Sequence, residues 1–160
     1  MADEGVGIRA IERLEQEYVF PGNVELMDGG TSGIELLRFI DGRDALIILD
    51  CVKADHPPGT LLRAEGDDVP AQFRTRISPH QLGLSDLLAT AALTGAVPKH
   101  LILLGVEPKE VTLRLEMSEE VKAGLDRLVA RTVEEVRALG CEVTPTGIAP
   151  ESVQSSWNNP

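Results

Sequence analysis

Glu4, Asp50 and His80 each stand in a local context suited to metal chemistry. Glu4 lies in Asp3-Glu4-Gly5-Val6-Gly7. Asp50 closes the apolar run Leu46-Ile47-Ile48-Leu49. His80 lies in Ser78-Pro79-His80-Gln81-Leu82-Gly83-Leu84-Ser85-Asp86. Two carboxylates and an imidazole form an oxygen and nitrogen donor set for a divalent transition metal such as nickel. Asp28, followed by Gly29-Gly30-Thr31, is a reserve candidate, because glycines let another backbone approach closely.

Each residue also has a simpler use. An Asp after a strand caps a turn, and Asp28 before two glycines fits a turn as well. Glu4 at a helix start is favoured by the helix dipole alone, and His80 after Pro79 can cap its helix. His56 sits in a Pro-rich turn and His100 begins a strand beside Lys99; both read as surface residues. Cys51 follows Asp50, and neighbouring strand residues face opposite ways, so it reads as a small core residue.

Convergence of the candidates depends on the elements that carry them. Ile8, Ile11 and Leu14, with Glu12 and Glu15 between them, predict an amphipathic helix over about 7–18. Pro21-Gly22-Asn23 breaks it. Val24–Met27 reads as a short strand ending at Asp28. Thr31 or Ser32 would cap a helix through Phe39. Ala45–Leu49 is apolar throughout, as in a strand buried between helical layers. Thr60–Ala64 reads as a further strand, 65–79 as a loop, and 80–93 as a helix. His100–Val106 repeats the buried-strand pattern, and Val111, Leu113 and Leu115 alternate as a short extra strand would. Ser118-Glu119-Glu120 opens a long helix that Gly140 ends. The alternation implies a single-domain α/β fold: a three-layer sandwich with a mostly parallel twisted sheet and helices on both faces. The domain spans 1–144, and 145–160, rich in Pro, Gly, Ser and Asn, is expected to be a mobile tail. In such sheets ligands bind beyond the carboxyl ends of the strands, where Asp50 falls.

Composition removes several function classes. The 160 residues hold 15 Lys and Arg against 26 Asp and Glu, a net charge of −11. That balance argues against nucleic acid and against an anionic membrane surface. No apolar run reaches the ~20 residues of a membrane span. Two cysteines form no disulfide framework, and no secretory signal is visible, so the expected compartment is the cytoplasm. Aromatic residues make up only 3%, which leaves an aliphatic core. There is no Gly-x-Ser-x-Gly elbow, no phosphate loop ending in Lys-Ser or Lys-Thr, no His-Glu-x-x-His helix, and no paired Asp-Thr-Gly segment.

Taken in order, Asp3-Glu4-Gly5-Val6-Gly7, Asp28-Gly29-Gly30-Thr31, Asp50 after its apolar run, Ser78 to Asp86, and Gly105-Val106-Glu107-Pro108 closely resemble the hydrogenase maturation proteases. The likeness runs from residue 2 to about residue 140. It implies an endopeptidase, filed as aspartic-type, that cuts a C-terminal extension from the large-subunit precursor of a nickel–iron hydrogenase after nickel insertion. It implies Glu4, Asp50 and His80 as both metal-recognition and catalytic positions. The nickel would be supplied by the precursor and not held permanently. The partner is then the nickel-loaded precursor, with no nucleic acid and no membrane. Members of the family begin with an apolar strand ending in Gly-x-Gly-Asn. Here Met1 stands just before the Asp-Glu pair, so the resemblance implies that the first strand is missing, with reduced stability or strand-exchanged association. Two other functions remain open on the residues: a nickel-sensing or nickel-escort protein without peptidase activity, and a small-molecule hydrolase or phosphorylase on a similar sheet.

Overall fold

His100–Val106 form the central strand, β4, and their alternation builds both faces of the sheet. In the computed structural model residues 5–29, 34–73, 79–109 and 117–147 are described, with residues 79–82 described by backbone alone. Ile102, Leu104 and Val106 pack into one apolar cluster, and Leu101 and Leu103 into a second on the opposite face. A strand buried on both sides must be apolar at every position. Each Leu or Ile so buried contributes roughly 1.5–3 kcal/mol.

β2 (Ala45–Cys51) lies parallel to β4, from Ala45 opposite His100 to Cys51 opposite Val106. β3 (Leu61–Glu65) lies antiparallel on the other side, from Leu61 opposite Val106 to Glu65 opposite Ile102. The order β2-β4-β3 is a mixed sheet, in place of the mostly parallel one expected from the helix-strand alternation. The difference arises because β3 returns from the 52–60 turn without a crossover helix, and such a short return gives antiparallel pairing. Among the described residues β2 pairs on one edge only.

Helices cover both faces, as expected. α1 (Val6–Glu17) and α5 (Glu119–Ala138) supply Ala10, Leu14, Leu128, Val129 and Val133 to the first cluster. α2 (Leu37–Ile40), α3 (Asp68–Phe73) and α4 (Pro79–Thr94) supply Ile40, Phe73, Leu87 and Ala91 to the second. α5 starts where its sequence says it should: Ser118 Oγ accepts from the Val121 N–H at 3.4 Å, with Glu119 and Glu120 in the first turn. It stops before Gly140, whose φ of +94° is the left-handed conformation glycine adopts without strain.

Three segments depart from the sequence expectation. Val24–Met27 is not a strand; Val24 and Leu26 pack half-buried against the α1/α5 cluster, and no described neighbour ladders with them. The 65–79 stretch is not all loop, since α3 occupies Asp68–Phe73. Pro70 reads as a breaker but sits in the first turn of α3, where a helix needs no backbone N–H donor. A two-residue ladder pairs β1 (Tyr18–Val19) with β5 (Thr144–Pro145), and the Thr146 N–H donates to Glu17 O at 2.9 Å. The chain therefore stays on the domain across the 144/145 boundary. The expected strand at 111–115, the caps at Thr31 and Ser32, and residues 148–160 of the expected tail lie outside the described residues.

Two contacts tie helices to the sheet. Gly7 in α1 is pressed on the end of β2, and a Cβ there would collide with the Leu49 carbonyl oxygen. Arg63 on β3 donates to Glu135 on α5 through Nε and Nη2, at 3.0–3.2 Å, and Arg131 adds a 3.4 Å bond. The Arg63 hydrogen bonds, more than the charge alone, hold the Glu135 carboxyl below its ordinary value.

Gly7→Ala is expected to cost about 1–3 kcal/mol by overpacking. Gly5→Ala, with nothing within 4 Å of the added methyl, should leave the urea midpoint nearly unchanged. Equal midpoints for the two variants would refute the close contact. The Glu135 carboxylate is stabilised in the folded state, so its contribution is complete above the unfolded carboxyl value of 4.5. It is lost as pH falls through the lower folded value. Glu135→Gln should cost about 1–2 kcal/mol at pH 7, discounted for the partly exposed Arg63. It should also flatten the acid side of the stability–pH curve measured by denaturant titration.

Candidate functional site

One residue before its end, the β2–β4 register forms a row that crosses all three strands: Asp50 opposite Gly105, and Gly105 opposite Leu62. Alternation fixes which way the row faces. Ile48 and Val52 belong to the cluster covered by α2, α3 and α4, and Asp50 shares their parity, so it points to that same layer. Cys51 points to the α1/α5 cluster, as its place in the strand predicts. Asp50 is only 3% exposed. Its Oδ1 accepts from the Cys51 N–H at 2.8 Å, which fixes the carboxylate against its own backbone.

The strand end is held beyond the last ladder residue. The Val52 N–H donates to Val106 O at 3.0 Å, and Val52 folds over Gly105, where a Cβ would collide with its methyl. The chain then turns through 53–56, with Asp55 at a φ of +61°. Glu107, just past β4 and 2% exposed, anchors this turn. Its Oε1 accepts from the N–H groups of Ala54 and His56, both at 2.8 Å. Its backbone joins the next segment, with Gly59 N–H to Glu107 O at 2.8 Å and Glu107 N–H to Thr60 O at 2.9 Å.

A cleft of about 240 Å3 opens on the same face of the sheet. Val52, Ala54, Leu62, Ala64 and Leu103 make its apolar floor, with His56 and Gln72 among the polar groups lining it. Strands lie ~4.8 Å apart, so Leu62, two strands over in the Asp50 row, is roughly 10 Å from it between Cα atoms. Asp50 itself does not line the cleft.

The remaining sequence candidates fall as follows. His80 is the second residue of α4, in the helical layer over the Asp50 face; its side chain lies outside the described residues, as does the whole of Glu4. The described chain starts at Gly5, and the first turn of α1 is the part pressed on Leu49 and Asp50 through Gly7. Asp28 is exposed, at the end of an irregular segment. His100 pairs with Ala45 at the far end of the ladder, about 17 Å from the Asp50 row at ~3.3 Å per residue. It is half-buried there, not fully on the surface. His56 is exposed, as expected, but lines the cleft. Among the described residues no three His, Cys, Asp or Glu side chains cluster as a metal site, and no helix is long and apolar enough to cross a membrane. In the sequence Glu107 stands out only within Gly105-Val106-Glu107-Pro108, with no anchoring role attached; the signal for one was a charged residue directly after an apolar strand, the same signal that marks Asp50.

Known proteins match the chain over most of its length. The family model for hydrogenase maturation protease matches residues 8–135. The hydrogenase 2 maturation protease of Escherichia coli K12 is 40% identical over 146 residues, covering 91% of this chain and 89% of that protein. The hydrogenase expression/formation protein HupD of Rhodobacter capsulatus is 41% identical over 145 residues, covering 89% of this chain and 69% of that protein. In structure, the chain resembles the hydrogenase maturating endopeptidase HybD of E. coli, with a TM-score of 0.86 at 40% identity and 91% of each chain covered. A maturation protease HybD of Thermococcus kodakarensis matches with a TM-score of 0.68 at 26% identity, covering 84% of this chain and 90% of that one.

Proposed function

The chain belongs to the hydrogenase maturation protease family, and from that premise we propose that it is an endopeptidase. Its substrate is the precursor of a nickel–iron hydrogenase large subunit, from which it removes a C-terminal extension after nickel has been inserted. The observation that carries the proposal is Asp50: a carboxylate 3% exposed at the carboxyl end of a parallel strand pair, inside the segment matched by the family model.

Peptide hydrolysis needs a water molecule to attack the carbonyl carbon, a base to take its proton, and a proton for the departing amide nitrogen. In the proposed mechanism Glu4, Asp50 and His80 contact the nickel that the precursor already holds. The ion thereby reports that loading is complete and fixes the scissile peptide. One of the two carboxylates takes the proton from the attacking water and returns it to the departing amide nitrogen as the C–N bond breaks, which gives the aspartic-type assignment a chemical basis. Asp28 stays in reserve. No metal need reside permanently on the protease, because the substrate brings it. Cys51 and Cys141 form no disulfide, which suits a reducing compartment, and we place the activity in the cytoplasm.

The test is incubation of the purified chain with nickel-loaded precursor, followed by intact mass measurement. The precursor should lose its C-terminal fragment, and nickel-free precursor should stay whole. Nickel uptake by the chain with no change in precursor mass would instead make it a nickel-sensing or escort protein. Asp50→Asn keeps the side-chain volume, so its melting temperature should hold within a few degrees. Cleavage should fall by about 10²–10⁴-fold; wild-type processing by this variant would remove Asp50 from the chemistry.

A further inference from the structure

We propose that Glu107 is a positioning residue for the substrate peptide, acting through the turn that follows Asp50. The inference rests on the peptidase function above and deepens it. Val52, Ala54 and His56 line the cleft on the Asp50 face, and they belong to one turn. Two of their backbone N–H groups, those of Ala54 and His56, end on the single oxygen Glu107 Oε1. A turn with Asp55 in the left-handed region carries backbone strain for a non-glycine residue and needs an external hold. Glu107 is that hold. Its carboxylate is buried, where hydrogen bonds to a charged acceptor are strong.

The catalytic strand end does not depend on this hold. Asp50 is fixed by the β2–β4 ladder, by the Val52–Val106 bond and by its own contact to Cys51 N–H. Loss of the Glu107 contact therefore loosens the wall of the cleft and leaves Asp50 in place. The cleft suits an extended segment of the precursor with an apolar side chain, set against the floor of Val52, Leu62, Ala64 and Leu103, with polar groups at its margin.

Two variants separate reach from charge. Glu107→Gln keeps the length and an oxygen able to accept both N–H groups. Glu107→Asp keeps the charge but is one methylene too short. With nickel-loaded precursor as substrate, Glu107→Asp should raise KM about tenfold or more with kcat within about threefold of wild type. Glu107→Gln should stay within about threefold in both. Amide hydrogen exchange at Ala54 and His56 should speed up in the Asp variant only. Unchanged KM and unchanged exchange in the Asp variant overturn the proposal. A Gln variant more impaired than the Asp variant also overturns it, since the charge and not the reach would then matter. If the wild-type chain cleaves nothing, the peptidase function fails, and the exchange measurement still decides whether Glu107 holds the turn.

Discussion

The parallel pairing of β2 with β4 is the constraint on which the rest depends. It runs over seven residue pairs, and both strands are apolar almost throughout. A ladder so placed cannot slip by one residue without exchanging the residues of its two faces. That would drive Asp50 into the α1/α5 cluster and Cys51 toward the candidate site. The hydrophobic pattern thus fixes the position of one carboxylate, although no apolar side chain takes part in the proposed proton transfers. Asp50 is the single charged residue in β2, and it stands where the sheet gives way to the loops.

Close approach is the second requirement, and glycine meets it on both sides of that strand end. Gly7 lets the first turn of α1 rest on the Leu49 carbonyl, and Gly105 leaves room for Val52 to fold across the row. A side chain at either place would push a neighbour away from Asp50. The two glycines lie in segments that also carry acidic residues, Asp3-Glu4 and Glu107. Close packing and proposed site residues therefore share the same short stretches.

Much of this was legible because it depends on short-range pattern. The 3.6-residue stripe of α1, the Ser118 cap and Gly140 stop of α5, and the unbroken apolar runs of β2 and β4 each carry their cause in neighbouring residues. So did the opposite facing of Asp50 and Cys51. What was not legible depends on partners far along the chain. Val24–Met27 has strand composition, but a strand exists only with a neighbour, and among the described residues none pairs with it. The direction of β3 depends on how the chain returns from residues 52–60, which local pattern does not encode. α3 was hidden by Pro70, whose effect changes from breaker to tolerated residue with a shift of a single turn. The meeting of Asp50 with Gly105 and Leu62 needed the register of three strands, and the Glu107 anchor needed hydrogen bonds across more than fifty residues.

The site therefore has two supports of different character. The first is the apolar ladder, which is insensitive to pH and salt and fixes the Asp50 backbone to within the tolerance of a β-sheet. The second is a single buried carboxylate oxygen that gathers two N–H groups of a strained turn. Such a division suits the proposed peptidase function. Its chemical group must already be in place when the substrate arrives, because reorganisation during the reaction raises the barrier. Its binding wall must be held firmly enough to select, yet it can yield as a peptide enters, since a turn tied by two hydrogen bonds opens at far lower cost than a strand buried between two helical layers. Rigidity at Asp50 and limited compliance two to six residues later follow from the same chain segment leaving the sheet.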